Sequence, residues 1–277
     1  MKDSQIIIDS RKSSLSLNLK ELFSYKDLFL ILAYRDYKVR YAQTFLGFTW
    51  AFIQPFATLL IFTIVFGKAA KVDTGNVPYP VFAICGMTAW TYFAFVMNQA
   101  GSSIIGAQGM VKKIYFPRLI IPISKAMVGL VDFIISFIFL ISLLVFYKFI
   151  PSSNIIYLPI FIFLAMVSAL AVGIWLSALT IRYRDFQHII PFMVQFGLYA
   201  TPIAYPAELV ISSMPDWVSV LYFLNPMAGV VEGFRWAIIG GAFPSTYSII
   251  SFGLTILIFI SGLYYFKKVE KVMADIV

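Results

Sequence analysis

The chain has 277 residues, of which 61% are hydrophobic and only 12% charged, with a net charge of +8. A soluble domain carries about 25% charged residues, so the apolar surface exceeds what one core can hide, and the composition excludes an ordinary water-soluble globule. Basic residues clustered between apolar runs fit a cytoplasmic membrane surface, with no nucleic acid as partner.

Residues 1–18 form a polar, basic tail, and nothing before residue 28 is apolar enough for a signal-peptide core. The first apolar helix is therefore expected to act as the insertion signal and to stay in the protein. From Leu19 to Tyr41, Lys20, Ser24, Asp27, Arg35 and Lys38 recur at helical spacing, with Leu22, Phe23, Phe29, Leu32 and Ala33 around them. This predicts an amphipathic helix lying in the membrane interface, within an N-terminal segment 1–43.

Residues 44–277 read as one transmembrane domain. Six runs are long enough to span, near 45–66, 80–100, 119–147, 155–180, 189–205 and 247–266. The third is longer than a span needs and carries Pro122 near its start; the fifth is short and carries Pro191 and Pro202. Of the 21 Lys and Arg residues, 17 fall in the N-terminal segment, the 101–125 region, the 181–188 loop and the C-terminal tail. The positive-inside rule then puts both termini in the cytoplasm. The outer loop, about 206–246, is unusually apolar and broken by Pro206, Pro215, Pro226 and Gly240–Gly241. It is expected to form re-entrant helices whose backbone groups find partners in protein or in a wet cavity. The predicted fold class is thus an all-α membrane protein with six transmembrane helices, an interfacial N-terminal helix and re-entrant outer helices before the last span.

The chemistry is sparse. No G-x-x-x-x-G-K-[ST] phosphate loop exists, so ATP is not bound that way. The only histidine is His188 and the only cysteine Cys85, which leaves no zinc-protease motif, internal disulfide or cysteine metal site. Asp132 is the one clear carboxylate inside a span and reads as a partnered structural group in preference to a proton relay. Uncharged polar residues are frequent in the spans, among them Gln54, Thr58, Asn98, Gln99 and Gln195. They must pair or line a wet path. Aromatics near the outer ends, such as Phe62, Tyr199 and Tyr205, read as an interfacial belt or as faces on which pyranose rings could pack. Two cytoplasmic loops mix charge with bulky side chains: Lys112, Lys113, Ile114, Tyr115, Phe116, Pro117 and Arg118, then Arg182, Tyr183, Arg184 and Asp185. That mixture suits either a docking surface with anchor residues or interface anchoring.

These segments also carry a family resemblance. Arg35–Tyr41 leads into Leu46-Gly47, Trp50 and Gln54-Pro55; Lys113–Arg118 follows; then Trp175–Leu179 with Arg182–Asp185, Leu224-Asn225-Pro226 with Glu232–Arg235, and a tail from Phe266 to Ile276 with Glu270 and Ala274-Asp275. In this order they resemble the membrane permease subunit of a type-2 ABC transporter of the polysaccharide exporter class, which exports O-antigen, capsule or teichoic acid. The resemblance implies a multi-pass protein of the bacterial cytoplasmic (inner) membrane that is itself no enzyme and binds no cofactor or metal. It implies a second copy of the chain and two copies of an ABC ATPase subunit that carry ATP and Mg. Lys112–Arg118, within a coupling segment of about 108–119, and Arg182, Arg184 and Asp185 would meet that ATPase. The substrate pathway, largely first and fifth spans, would use Gln54, Thr58, Phe62, Phe192, Gln195, Phe196, Tyr199 and Tyr205. Arg35, Lys38 and Arg40 would draw the phosphates of a lipid-linked polysaccharide out of the surrounding membrane lipid, and Asn225, Pro226, Glu232 and Arg235 would form an outer gate. The alternatives are a type-2 exporter of a drug or small lipid and, from a different class, a polytopic enzyme acting on a lipid-linked sugar.

Overall fold

The computed structural model describes residues 19–41, 49–271 and 273. The tail 1–18, Leu46 and Gly47, residues 45–48 of the first predicted span, and Ala274, Asp275 and Ile276 lie outside the described residues. Every regular element among the described residues is helical.

The predicted interfacial helix is divided into α1 (Leu19–Ser24) and α2 (Lys26–Tyr41), with a turn at Tyr25. Leu22, Tyr25, Leu28, Phe29 and Leu32 pack onto a core that includes Ile120, Ile174, Ile181 and Phe266. Lys20, Arg35 and Lys38 are exposed beside Phe23, Leu30 and Ile31. An outward face that mixes cations with large apolar side chains matches the headgroup boundary, where both are accommodated.

The first span begins as α3 (Trp50–Phe62) and continues as a π-helical stretch, Thr63–Ala69. The chain then forms α4 (Tyr79–Gly101), the short helices α5 (Ser103–Gly106) and α6 (Gln108–Val111), and α7 (Ile120–Phe146). A 3-10 turn at Ser153–Tyr157 opens α8 (Leu158–Arg182), and α9 is Phe186–Ala200. Pro122 lies in the first turn of α7, where the missing N–H would have had no helical partner.

Five helices among the described residues are long and apolar enough to cross a bilayer: Trp50–Ala69, Tyr79–Gly101, Ile120–Phe146, Ser153–Arg182 and Ser248–Glu270. The fifth predicted run, 189–205, behaves differently. Its helix α9 has 15 residues, about 22 Å at 1.5 Å per residue, against a hydrocarbon core of about 30 Å. Thr201 ends it in an extended conformation, because the residue before a proline, here Pro202, is driven out of the helical region.

The apolar loop of residues 206–246 folds into α10 (Glu208–Ser213), α11 (Asp216–Phe223) and α12 (Pro226–Ile239) before the last helix, α13 (Ser248–Glu270). α12 is almost wholly buried against α4, α8 and α13. α4 is the centre of the bundle and packs on α7, α8, α9 and α12, with 78% of its spanning window buried. The first span is the opposite case, with 17% buried. It lies at the edge of the bundle and needs lipid or another chain against most of its surface.

Candidate functional site

A cavity of about 730 Å³ opens between α3, α4, α7 and α9, with the end of α2 at its rim. Each helix contributes polar groups at helical spacing. α3 presents Gln54 and Thr58, four residues apart; α9 presents Gln187, Pro191 and Gln195 at the same step. On α4, Met87, Thr91, Phe95 and Asn98 recur three or four apart and form one face, which Ser102 at the helix end extends. Pro55 on α3 and Pro191 on α9 both line the cavity inside their helices. Neither can donate to the carbonyl one turn back, at Ala51 and Gln187, and both of those residues also line it. Helix-interior prolines are tolerated at membrane depth where freed carbonyls reach protein or water. The wall between α4 and α9 is close-packed: a Cβ on Gly197 would lie 2.4 Å from the Trp90 ring, so only glycine permits this approach.

The rim holds a charge cluster. The Arg40 guanidinium donates to the Asp132 carboxylate at 2.6 Å and sits 4.3 Å above the Phe95 ring centroid. The Tyr41 hydroxyl donates to the other Asp132 oxygen. Burial, and then this hydrogen bond to Asp132, push the Tyr41 hydroxyl up to about 12, so it keeps its proton and remains a donor. One helical turn back, Lys125 on α7 meets Asp36 at 2.6 Å, and Asp36 also receives Arg35. α2 is therefore fastened to α7 by two cross-helix ion pairs. Asp132 is thus a partnered group, as its sequence context suggests, although its cation comes from α2 and not from Lys125 on its own helix.

Removing one partner of a fully buried pair costs about 3–5 kcal/mol, and less here because the Arg40 side chain is 35% exposed. Asp132→Ala is expected to raise amide exchange across residues 36–41 while leaving α8 and α13 protected. Unchanged exchange at 36–41 would show that the pair does not hold α2.

Of the residues assigned to a pathway by resemblance, Gln54, Thr58 and Gln195 line this cavity together. Phe62 does not: it is buried in the main core and packs edge-on against Phe66. Phe192 and Phe196 pair with ring centroids 4.3 Å apart on an exposed face of α9, where Tyr199 also lies. None of the three lines the cavity. Tyr205 belongs to the turn after α9, where its hydroxyl donates to the Tyr199 carbonyl and accepts from Tyr222. Asn98 and Gln99, which sequence left between pairing and lining a wet path, line the cavity, and Trp50 and Trp90 do so without having been assigned to it from sequence. The three-and-four spacing on α4 was the available signal.

The basic segment after α6 divides into two parts. Lys112, Lys113, Ile114 and Tyr115 are exposed, whereas Phe116 and Pro117 are buried. Phe116 packs with Leu32, Ile104 and Phe266. The Arg118 backbone N–H donates to a Glu270 carboxylate oxygen at 2.9 Å, and its guanidinium donates to the Glu270 carbonyl at 2.7 Å. Lys267 holds the second Glu270 oxygen. The segment is thereby fixed to the end of α13, and a groove of about 360 Å³ runs between them. Arg182, Arg184 and Asp185 are exposed in the loop between α8 and α9.

The four residues proposed from sequence as an outer gate are all engaged. Asn225 caps α12 by accepting from the Met227 N–H, and its amide donates to the Thr201 hydroxyl at 2.7 Å. Pro226 occupies the first helical position, which suits its fixed φ. Glu232 accepts from Ser245 and Ser248. Arg235 is buried and donates to the carbonyls of Phe82, Ile203 and Tyr205.

Comparison with known proteins gives this arrangement its context. The chain is 27% identical over 260 residues to the O-antigen export system permease protein RfbA of Klebsiella pneumoniae, covering 94% of this chain and 97% of that one. It is 26% identical over 217 residues to a Myxococcus xanthus protein of the same name, covering 78% and 82%. The polysialic acid transport protein KpsM of Escherichia coli is 23% identical over 211 residues, covering 75% and 79%. The family model described as ABC-2 type transporter matches residues 27–239, from α2 through the cavity helices to the end of α12. The chain is a multi-pass membrane protein that belongs to the ABC-2 type transporter family.

Proposed function

We propose that this chain is the permease subunit of an ATP-driven exporter that moves a lipid-linked polysaccharide across the bacterial cytoplasmic membrane. The observation that carries the reading is the cavity: a membrane-embedded space lined by amides, hydroxyls and aromatic faces, in a chain whose relatives are named as O-antigen and polysialic acid transport proteins. Sugar hydroxyls both donate and accept, and so do side-chain amides.

In this reading two copies pair through the poorly covered first span and the exposed face of α9, and two ATPase subunits supply ATP and Mg. α9 together with the following turn completes a sixth crossing, which leaves both termini cytoplasmic. α10–α12 then re-enter the outer leaflet. The N-terminal segment 1–43 lies at the cytoplasmic interface, where exposed Lys38, with Arg35 and Arg40, draws the lipid phosphate toward the rim. Closure of the ATPase pushes on Lys112–Tyr115, and the Phe116 and Arg118 anchors pass the displacement to α13 and the core beneath α2.

Deleting the chain from its host is expected to trap lipid-linked polymer inside the cell, with export restored by the wild-type chain. The ATPase should copurify with it in detergent. Normal surface polymer in the deletion strain would overturn the proposal.

A further inference from the structure

We propose that the polymer which occupies this cavity is built of uncharged sugars, so that the pathway selects a neutral glycan over a polyanion; the proposal rests on the polysaccharide-export reading above. Five side-chain amides, those of Gln54, Asn98, Gln99, Gln187 and Gln195, line the cavity, and none of them makes a hydrogen bond to another described residue. None is a buried unsatisfied group either; among the described residues only the Ser219 hydroxyl is. The amides are therefore open to the cavity and available to a ligand. Each offers two N–H donors and a carbonyl acceptor, the complement of a hydroxyl-rich chain with no net charge. The indole faces of Trp50 and Trp90 add apolar surface for sugar C–H groups.

Fixed charge is limited to the rim. Among the described residues, the only charged ones lining the cavity are Arg40 and Asp132, and they neutralise each other at 2.6 Å. The sequence extends this beyond the faces seen in one chain. Residues 41–67, 79–111 and 186–207 contain no Asp, Glu, Lys or Arg, so α3, α4 and α9 present no charge on any face. His188, at the start of α9, is exposed and does not line the cavity. A polymer with a carboxylate on each unit would leave water for a low-dielectric wall with no free cation, which is strongly unfavourable. Pores that pass anions use rings of Arg or Lys, and the described residues that line this cavity form none. The lipid phosphate is a separate matter, since it need only reach exposed Lys38 on α2, outside the cavity.

The test starts from a host strain lacking this chain, from which the trapped polymer is extracted, freed of its lipid phosphate and run on an anion-exchange column. A polymer that passes unretained at low salt is the expected result; a retained, acidic polymer overturns the inference. If no polymer accumulates, the export reading itself fails, which is a different outcome. Wall variants give a second measurement on the native polymer. Gln54→Lys and Gln54→Glu, and likewise Gln195→Lys and Gln195→Glu, should each reduce export about tenfold, in proportion to the roughly 1.4 kcal/mol per decade that a newly buried charge readily exceeds. The sign of the charge should not matter, with the amount of permease in the membrane used to normalise each pair. Export that survives Lys and is lost with Glu would mark a polyanionic substrate and overturn the inference. So would wild-type export by all four variants.

Discussion

Alanine at both Ile114 and Tyr115 is expected to abolish export and release the ATPase, while the permease still accumulates in the membrane at the wild-type level. The two side chains are 59% and 68% exposed, and they project beside Lys112 and Lys113 from a segment whose other half is anchored. Bulky apolar groups exposed to water on a loop cost nothing to remove for the isolated chain. At an interface each is the kind of anchor worth about 2 kcal/mol, so losing both weakens docking by about a thousandfold. Phe116→Ala is expected to act differently. Phe116 is 4% exposed and packs with Leu32, Ile104 and Phe266. Emptying such a site costs about 3–5 kcal/mol, which should appear as less folded permease with the ATPase still bound to what remains. Immunoblotting of membranes alongside copurification of the ATPase separates the two effects. Wild-type export by the Ile114/Tyr115 double variant would remove the coupling role from this surface.

That division of the segment was not legible in its sequence. Lys112–Arg118 announces charge, aromatics and a proline, but not which side chains turn inward. The inward turn of Phe116 and Arg118 depends on Glu270, which is 152 residues away. The same holds at the rim. Asp36, Arg40, Lys125 and Asp132 are all conspicuous in an apolar chain, yet their pairing joins α2 to α7 across about 90 residues of sequence. Spans were legible because a bilayer imposes a length and an apolar composition on each crossing. Their burial was not, since Leu and Phe serve equally against lipid and against protein. Hydropathy does not distinguish α4, at the centre of the bundle, from the first span at its edge. α9 shows a third case: the composition of 189–205 suggested a crossing, while Pro202 acting on Thr201 ends the helix at Ala200.

Arg235 is where the residue type was most misleading, and the second large effect is expected there. The family resemblance placed it in an outer gate, but it is 8% exposed and serves as a buried anchor. Its guanidinium lies 3.6 Å from the Phe82 ring centroid and donates to the carbonyls of Phe82 at 3.3 Å, Ile203 at 2.5 Å and Tyr205 at 3.4 Å. Gly86 makes room for it, since a Cβ there would lie 2.9 Å from a guanidinium nitrogen. One side chain thus ties α12 to α4 and to the turn after α9. Arg235→Ala takes this donor from the carbonyls of Ile203 and Tyr205, which lie outside any helix, at about 1–3 kcal/mol for each one that finds no water. An apparent unfolding temperature in detergent about 10 °C lower is the expected size for a chain of this length. Arg235→Lys should rescue little of it, because an ammonium is a compact point charge without the planar fork that reaches three carbonyls on two segments. The turn that Arg235 holds carries the end of α9, and α9 is a wall of the cavity. Export by the folded fraction of Arg235→Lys should therefore also fall. A lysine variant with wild-type stability would show that charge alone, and not the fork, holds this turn in place.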